Sequence, residues 1–279
     1  MVIGGGPSGL EAARVAARRG HKVRLYEQAN KLGGLVPLAA MVKELDLDEL
    51  LNLIGYFKVQ MAKEGVEVVT GKMAGPAEIA EFKPDALVLA AGAVHNRLDI
   101  PGAGSKKVIS GAQLHKQLKF YLRFLSPGTL ERLTKIWMPV GKKVVIVGGN
   151  IQGCELCEFL VKRGRQVTIV EAGAALGEGI TREDQLRFFP WLERRGIPAY
   201  TGVKYEEVNN KGLVITTAQG EKKTLEADSI VVTLPLLPNA AIARGLEGKV
   251  PETHIIGSCG EPGLIYNAIA DGAKLGHSI

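Results

Sequence analysis

Met1-Val-Ile-Gly-Gly-Gly-Pro-Ser-Gly-Leu10 is the stretch whose reading decides the fold. Three apolar residues run into Gly4, Gly6 and Gly9, which have the Gly-x-Gly-x-x-Gly spacing, and a helix-like stretch at 11–19 stops at Gly20. That spacing suits a tight turn, a backbone bare enough for a pyrophosphate to approach, and close contact between helix and strand. The start of the helix, around Ser8, then offers free N–H groups and a partial positive charge to the phosphates. Residues 21–26 predict a second strand with Glu27 at its end, 18 positions after Gly9. An acidic side chain there is placed to bind a ribose hydroxyl pair. Glu27 also reads as a solvated strand end, but the glycines, element order and spacing together favour the ribose role. Gly33 and Gly34 add a second glycine pair, suited to backbone lying against a flat or phosphate-bearing ligand.

The arrangement recurs. A strand at 143–147 leads into Gly148, Asn150 and Gly153, a helix at about 151–163 follows, and a strand at 166–170 ends in Glu171. Glu171 stands 18 positions after Gly153, the offset found in the first unit. Two matching offsets predict two dinucleotide sites in one chain. Asn150 occupies the second glycine position, so a Cβ intrudes where the pyrophosphate meets backbone. Asn tolerates unusual dihedrals, which predicts weakened rather than lost binding. The Glu171 carboxylate repels a 2′-phosphate and favours NADH over NADPH, with Arg182 nearby as the opposing influence. Only Met1, Val2 and Ile3 precede the first glycines, short for the central strand of such a unit. The expectation is that the chain begins inside a strand and is an excerpt of a longer polypeptide.

At 279 residues, 46% apolar and with 35 glycines, the composition suits a globular α/β protein of two domains. No apolar run reaches the roughly 20 residues that span a bilayer, and the first residues fit a nucleotide site better than a secretory signal. These points predict a cytoplasmic protein. The net charge of +6 is spread along the chain and aromatics make up 5%, unlike the basic, aromatic-studded surface of a nucleic-acid binder. Cys154, Cys157 and Cys259 are too few for a disulfide framework. Cys154 and Cys157 have redox-motif spacing but fall on the helix of the second unit, where packing against the sheet is the favoured reading. Metal-site spacing is absent.

Between the two units, 48–63 predicts a helix, 66–70 a strand, and 85–92 a buried strand ending at Gly92, where backbone passes close to a dinucleotide. Leu114, Leu118, Leu122 and Leu125 recur at helical spacing with basic residues between them, and a second amphipathic piece spans 130–137. Packing against a neighbouring domain is favoured over a membrane surface. Thr181 reads as the N-cap of a helix at 182–195. Short strands follow to 233, then a strand at 254–257 and a final helix at 264–276 that return to complete the first domain. The expected fold is α/β, two nested Rossmann-like dinucleotide-binding domains. One comprises 1–105 and 248–279, the other 106–247, with a helical connector at about 110–140.

This pattern resembles the flavoprotein pyridine nucleotide-disulfide oxidoreductases. Within them it is similar to the C-terminal portion of the 2,4-dienoyl-CoA reductase and 2-enoate reductase-like enzymes, the long old yellow enzyme group. The resemblance includes 32–34, 137–140 and 261–264. It implies FAD in the first unit on Gly4, Gly6, Ser8, Gly9 and Glu27, with Gly33, Gly34 and Gly92 alongside. It implies NADH in the second on Gly148, Asn150, Gly153 and Glu171. Gly257 and Ser258 match the position where many relatives carry Gly-Asp to hold the flavin ribityl chain. Ser258 departs from that pattern and offers a weaker hydrogen bond than a carboxylate. Glu155 matches a position that approaches nicotinamide and flavin in related disulfide reductases.

The implied activity is hydride transfer from NADH to FAD. Electrons then pass to an upstream barrel in cis that carries FMN, a 4Fe-4S cluster and the enoate or enoyl-CoA site. Two other readings stand beside it: a thioredoxin-reductase-like enzyme, and a non-catalytic nucleotide-binding module. The oligomeric state, including a homo-oligomer, stays open at this point.

Overall fold

The computed structural model describes residues 1–43, 47–111, 113, 114, 120, 129, 133, 134, 138–246 and 248–279. It divides the chain into two compact units, Met1–Val94 with Leu236–Ile279, and His95–Pro235. The first unit runs β1 (Val2–Ile3), α1 (Pro7–Arg18), β2 (Arg24–Glu27), α2 (Val36–Lys43), α3 (Leu47–Lys63), β3 (Glu67–Thr70), α4 (Pro76–Phe82) and β4 (Ala86–Leu89). The second holds β5 (Val108–Ser110), β6 (Lys143–Val147), α5 (Ile151–Val161), β7 (Gln166–Val170), α6 (Arg182–Arg194) and β8 (Ala199–Tyr200). It continues with β9 (Lys204–Val208), β10 (Gly212–Thr216), β11 (Lys222–Glu226) and β12 (Ser229–Val232). The chain returns to the first unit through α7 (Ala240–Leu246), β13 (Glu252–Ile255), a 3-10 turn at Gly257–Cys259 and α8 (Ile265–Ser278).

Both units use one plan. The first sheet is ordered β13-β4-β1-β2-β3 and the second β5-β12-β6-β7-β8, all strands parallel. The strand feeding each glycine turn is central. The chain moves outward on one side of it and then crosses to the other, so each turn lies at a reversal of strand order, where ligands bind outside the strand ends. Buried parallel strands read as continuous apolar runs, and Val144–Val147 is such a run, buried throughout. β1 has only two residues, yet it pairs with both β2 and β4. The expected α/β fold of two nested Rossmann-like units is the one observed. The second unit adds an antiparallel sheet, β11-β10-β9, whose Leu213, Ile215 and Leu225 pack with Val145, Val147 and Val232.

Small residues set how closely the helices of the first unit approach. Ala12, Ala13 and Ala16 of α1 are buried, and α8 carries Gly272 and Gly276 four residues apart. A Cβ on Gly272 would lie 2.4 Å from the Ser8 carbonyl oxygen, and one on Gly276 2.7 Å from the Val15 Cβ. The two backbones are therefore nearly in contact, and α8 presses on the first turn of α1.

The unit borders differ from the expected 105/106 and 247/248. Val94 and Leu237 exchange N–H···O bonds of 2.9 Å as an isolated antiparallel bridge within the first unit. Beyond it, Leu98 packs in the second unit's core, and Val208 N–H donates to the Pro101 carbonyl at 2.8 Å. On the return, Leu246 packs with Ile3, Leu87 and Leu89. Side-chain burial moves both borders toward the N-terminus. Strand β5, whose Val108 and Ile109 favour extended backbone, leads into the connector, and the described residues there, Gly111, Gln113, Leu114, Phe120, Thr129, Leu133 and Thr134, are helical. Apart from buried Leu114, the leucine-spaced positions lie outside the described residues, as do 130–132 and 135–137. Among the described residues, no helix is long and apolar enough to cross a membrane.

Two glycine-to-alanine changes test this packing. Gly55 is exposed on α3 with nothing within 4 Å of an added Cβ, so Gly55→Ala raises unfolding stability by about 0.5–1 kcal/mol. Gly272→Ala lowers it by about 2 kcal/mol through overpacking. Urea unfolding of both variants checks the opposite signs.

Candidate functional site

In the first cradle, three glycines serve different ends. Gly4 has φ 117°, and a Cβ there would lie 2.2 Å from the Ala90 carbonyl oxygen. A Cβ on Gly9 would lie 2.0 Å from the Gly4 carbonyl oxygen, so α1 starts directly over the turn. Gly6 differs. Its backbone is ordinary (φ −81°, ψ 178°), and an added Cβ meets nothing within 4 Å. The fold demands glycine at 4 and 9, whereas the space in front of Gly6 stays open. Pro7 starts α1 without needing an N–H acceptor. Among the described residues, no acceptor reaches the N–H groups of Ser8 and Gly9. A bare, concave backbone with unmet donors at a helix start fits a pyrophosphate.

Glu27 is 8% exposed and completes this turn. Its Oε2 accepts from Gly5 N–H at 2.8 Å and its Oε1 from Ala29 N–H at 2.7 Å. A carboxylate has about four acceptor positions, so two are left for a ribose hydroxyl pair. Gly33 (φ 114°) and Gly34 (φ 58°) fold back over the turn. Gly33 N–H donates to the Gly5 carbonyl at 2.8 Å, and a Cβ on Gly34 would lie 3.2 Å from the Gly6 Cα. Gly92 has φ 75° just past β4. Gly257 (φ 57°) closes the cradle from the other side, where a Cβ would lie 2.4 Å from the Ser8 Oγ. The structure thus gathers Gly4, Gly6, Ser8, Gly9, Glu27, Gly33, Gly34 and Gly257 around one turn, with Ser258 following on the 3-10 turn. It adds Asp271, whose Oδ2 accepts from Gly257 N–H at 3.2 Å. No local motif signals Asp271, because the contact joins residues 14 apart across a turn and a helix.

The second cradle reproduces the frame. Gly148 has φ 109°, and a Cβ on Gly153 would lie 1.9 Å from the Gly148 carbonyl oxygen. Glu171 accepts from Gly149 N–H and Gly173 N–H, both at 2.6 Å. Gly177 N–H donates to the Gly149 carbonyl at 2.7 Å, as Gly33 does to Gly5. Asn150 corrects one expectation. It needs no unusual dihedral, because its φ −69° and ψ −177° nearly match those of Gly6. Its side chain is engaged: Oδ1 accepts from Gly153 N–H at 3.1 Å, and Nδ2 donates to the Thr233 carbonyl at 2.9 Å. Thr233, not anticipated, also donates its hydroxyl to the Gly148 carbonyl at 2.7 Å. Glu155 sits on α5, half-buried, two residues past Gly153.

The cysteines of α5 are core residues. Cys154 is 1% exposed and Cys157 fully buried. Burial pushes the Cys154 thiol up to about 12 and raises Cys157 further, while Cys154 Sγ donates to the Gly149 carbonyl at 3.3 Å. Redox dithiols need the reverse, an accessible sulfur with a lowered pKa. Burial likewise raises Cys259. Among the described residues, no group of three or more His, Cys, Asp and Glu could hold a metal ion.

Residues 1–256 match the model of the pyridine nucleotide-disulphide oxidoreductase family, and the chain belongs to that family. Membership implies FAD and NAD(P)H as cofactors. The chain is 29% identical over 286 residues to an NADH oxidase of Thermoanaerobacter brockii, covering 100% of this chain and 40% of that protein. It is 29% identical to a cinnamate reductase of Clostridium sporogenes, covering 96% of this chain and 37% of the other. Among solved structures, a 2-naphthoyl-CoA reductase in complex with 2-naphthoyl-CoA superposes with a TM-score of 0.83 at 30% identity. That match covers 100% of this chain and 39% of the other. The resemblance to the dinucleotide-binding portion of longer enoate-reductase-like flavoproteins is therefore shown, and the chain spans about two fifths of the relatives it matches.

The buried thiols give a direct test. Near neutral pH, none of the three cysteines reacts with a thiol reagent in the native protein, and all three react after unfolding in guanidinium. Because folding raises the Cys154 pKa from 9.0 to about 12, the thiol favours the folded state fully below pH 9, and that stability is lost as pH rises toward 12. Denaturant midpoints across that range check the sign.

Proposed function

We propose that this chain is the electron-input portion of a longer flavoenzyme. The first unit holds FAD, the second holds NADH, and hydride passes from NADH to the flavin. Bound in the first cradle, FAD supplies two-electron acceptor chemistry that no side chain here provides. The observation that carries the reading is the pair of matched turns, each closed by its own strand-end glutamate with acceptor positions to spare.

The chain's residues bind and orient. The Gly4–Gly9 turn and the Ser8 and Gly9 N–H groups seat the FAD pyrophosphate. Glu27 takes the adenosine ribose, and Gly33, Gly34, Gly92, Gly257 and Ser258 line the rest. Gly148, Gly153 and Glu171 do the same for NADH, with Asn150 standing at the second glycine position of that turn. No side chain moves a proton in this step, and Glu155 is assigned no role in it. The electrons continue to a domain that carries FMN and an iron–sulfur cluster and reduces an enoate or enoyl-CoA double bond. The greater length of the relatives supports that destination. A thioredoxin-reductase-like route is disfavoured, because the only Cys-x-x-Cys pair, Cys154 and Cys157, is buried with raised thiol pKa values.

Anaerobic addition of NADH to the flavin-loaded protein bleaches the oxidised-flavin band stoichiometrically. An unbleached band in the presence of bound NADH overturns the proposal in favour of a non-catalytic nucleotide-binding module. NADPH reduces the flavin with about tenfold lower efficiency, because its 2′-phosphate meets the Glu171 carboxylate. Glu171→Ala narrows that ratio, as stopped-flow reduction with each nucleotide will show.

A further inference from the structure

The two helix starts differ in what they leave open. In the first unit, Pro7 has no N–H, and the Ser8 and Gly9 N–H groups meet no acceptor among the described residues. In the second, Ile151 N–H donates to the Glu178 carbonyl at 2.8 Å, and Gly153 N–H to Asn150 Oδ1 at 3.1 Å. The other end of the same amide donates to the Thr233 carbonyl at 2.9 Å. Gly153 needs an acceptor and Thr233 a donor, so one orientation of the amide satisfies both. Because Asn150 shares the backbone conformation of Gly6, its side chain projects into the space that stays open at Gly6.

We propose that Asn150 is a latch: its amide occupies the pyrophosphate seat of the second unit and must be displaced for a dinucleotide to bind. This rests on the reading of that unit as the NADH site. An arriving pyrophosphate competes with Asn150 Oδ1 for the Gly153 N–H, and moving the amide also breaks its bond to Thr233. Two neutral hydrogen bonds are together worth about a tenfold change in an equilibrium constant. The latch thus sets the two cradles apart. The first, with no side chain in its seat, suits a resident cofactor. The second suits a nucleotide that enters, reacts and leaves.

A purely structural cap predicts something different. Replacing a capping Asn by Gly costs a helix little, and it leaves nucleotide affinity unchanged or lowers it. The latch predicts a gain. Calorimetric titration of the flavin-loaded full chain with ADP-ribose, which carries the pyrophosphate without reducing power, separates the two. In Asn150→Gly, ADP-ribose binds about tenfold more tightly than to the unsubstituted chain. Adenosine, which lacks the pyrophosphate, changes by less than about twofold, since no latch bond opposes it. Equal or weaker ADP-ribose binding by Asn150→Gly, with the unsubstituted chain still binding it, overturns the latch and leaves the NADH reading standing. Failure of both chains to bind ADP-ribose overturns that reading and the latch with it.

Discussion

The structure depends on the closeness with which each helix starts over the turn that precedes it. At Gly9 and Gly153 the next atom in the Cβ direction is a carbonyl oxygen, 2.0 and 1.9 Å from where the Cβ would be. Only a hydrogen fits there. That contact fixes the first helical turn above the end of the central strand and aims its N–H groups at one point. The strand-end glutamate then ties down the middle of the turn, and in the first unit α8 presses on the same place through Gly272. The parallel sheets support this arrangement by placing each turn at a reversal of strand order.

Two copies of one cradle need not do one job. Their frames agree from the glycine dihedrals to the carboxylate bonds, so the difference at the second glycine position stands out. Gly6 leaves a seat open, and Asn150 fills its counterpart. Under the proposed assignment that asymmetry separates a flavin that stays from a nicotinamide that exchanges, because a product held too tightly slows turnover.

Much of this was legible in the sequence because it is local. The glycine spacings, the helix that follows each and the glutamate 18 residues on are all set within one strand–helix–strand unit, where chain geometry dictates contact. The N-cap at Thr181 was equally local, and its Oγ1 accepts from Asp184 N–H at 3.2 Å. Asp271, Thr233 and the Glu178 carbonyl were not legible, since tertiary packing brings them to the turns. The unit borders shifted because burial of Leu98 and Leu246, not composition, decides which core a linker joins. Asn150 lies between these cases. Its Cβ is plain from the residue type, and its bond to the N–H three residues on is the ordinary behaviour of Asn at a helix start.

The central claim is that the chain contains two separate dinucleotide seats, each governed by its own glutamate. Equilibrium binding counts on the unsubstituted chain, Glu27→Ala and Glu171→Ala test it most directly. One FAD and one NADH should bind per chain. Glu27→Ala should weaken FAD binding at least about tenfold and leave NADH unchanged, and Glu171→Ala should weaken NADH binding and leave FAD unchanged. Weakening of both nucleotides in either folded variant, or of neither, would contradict it.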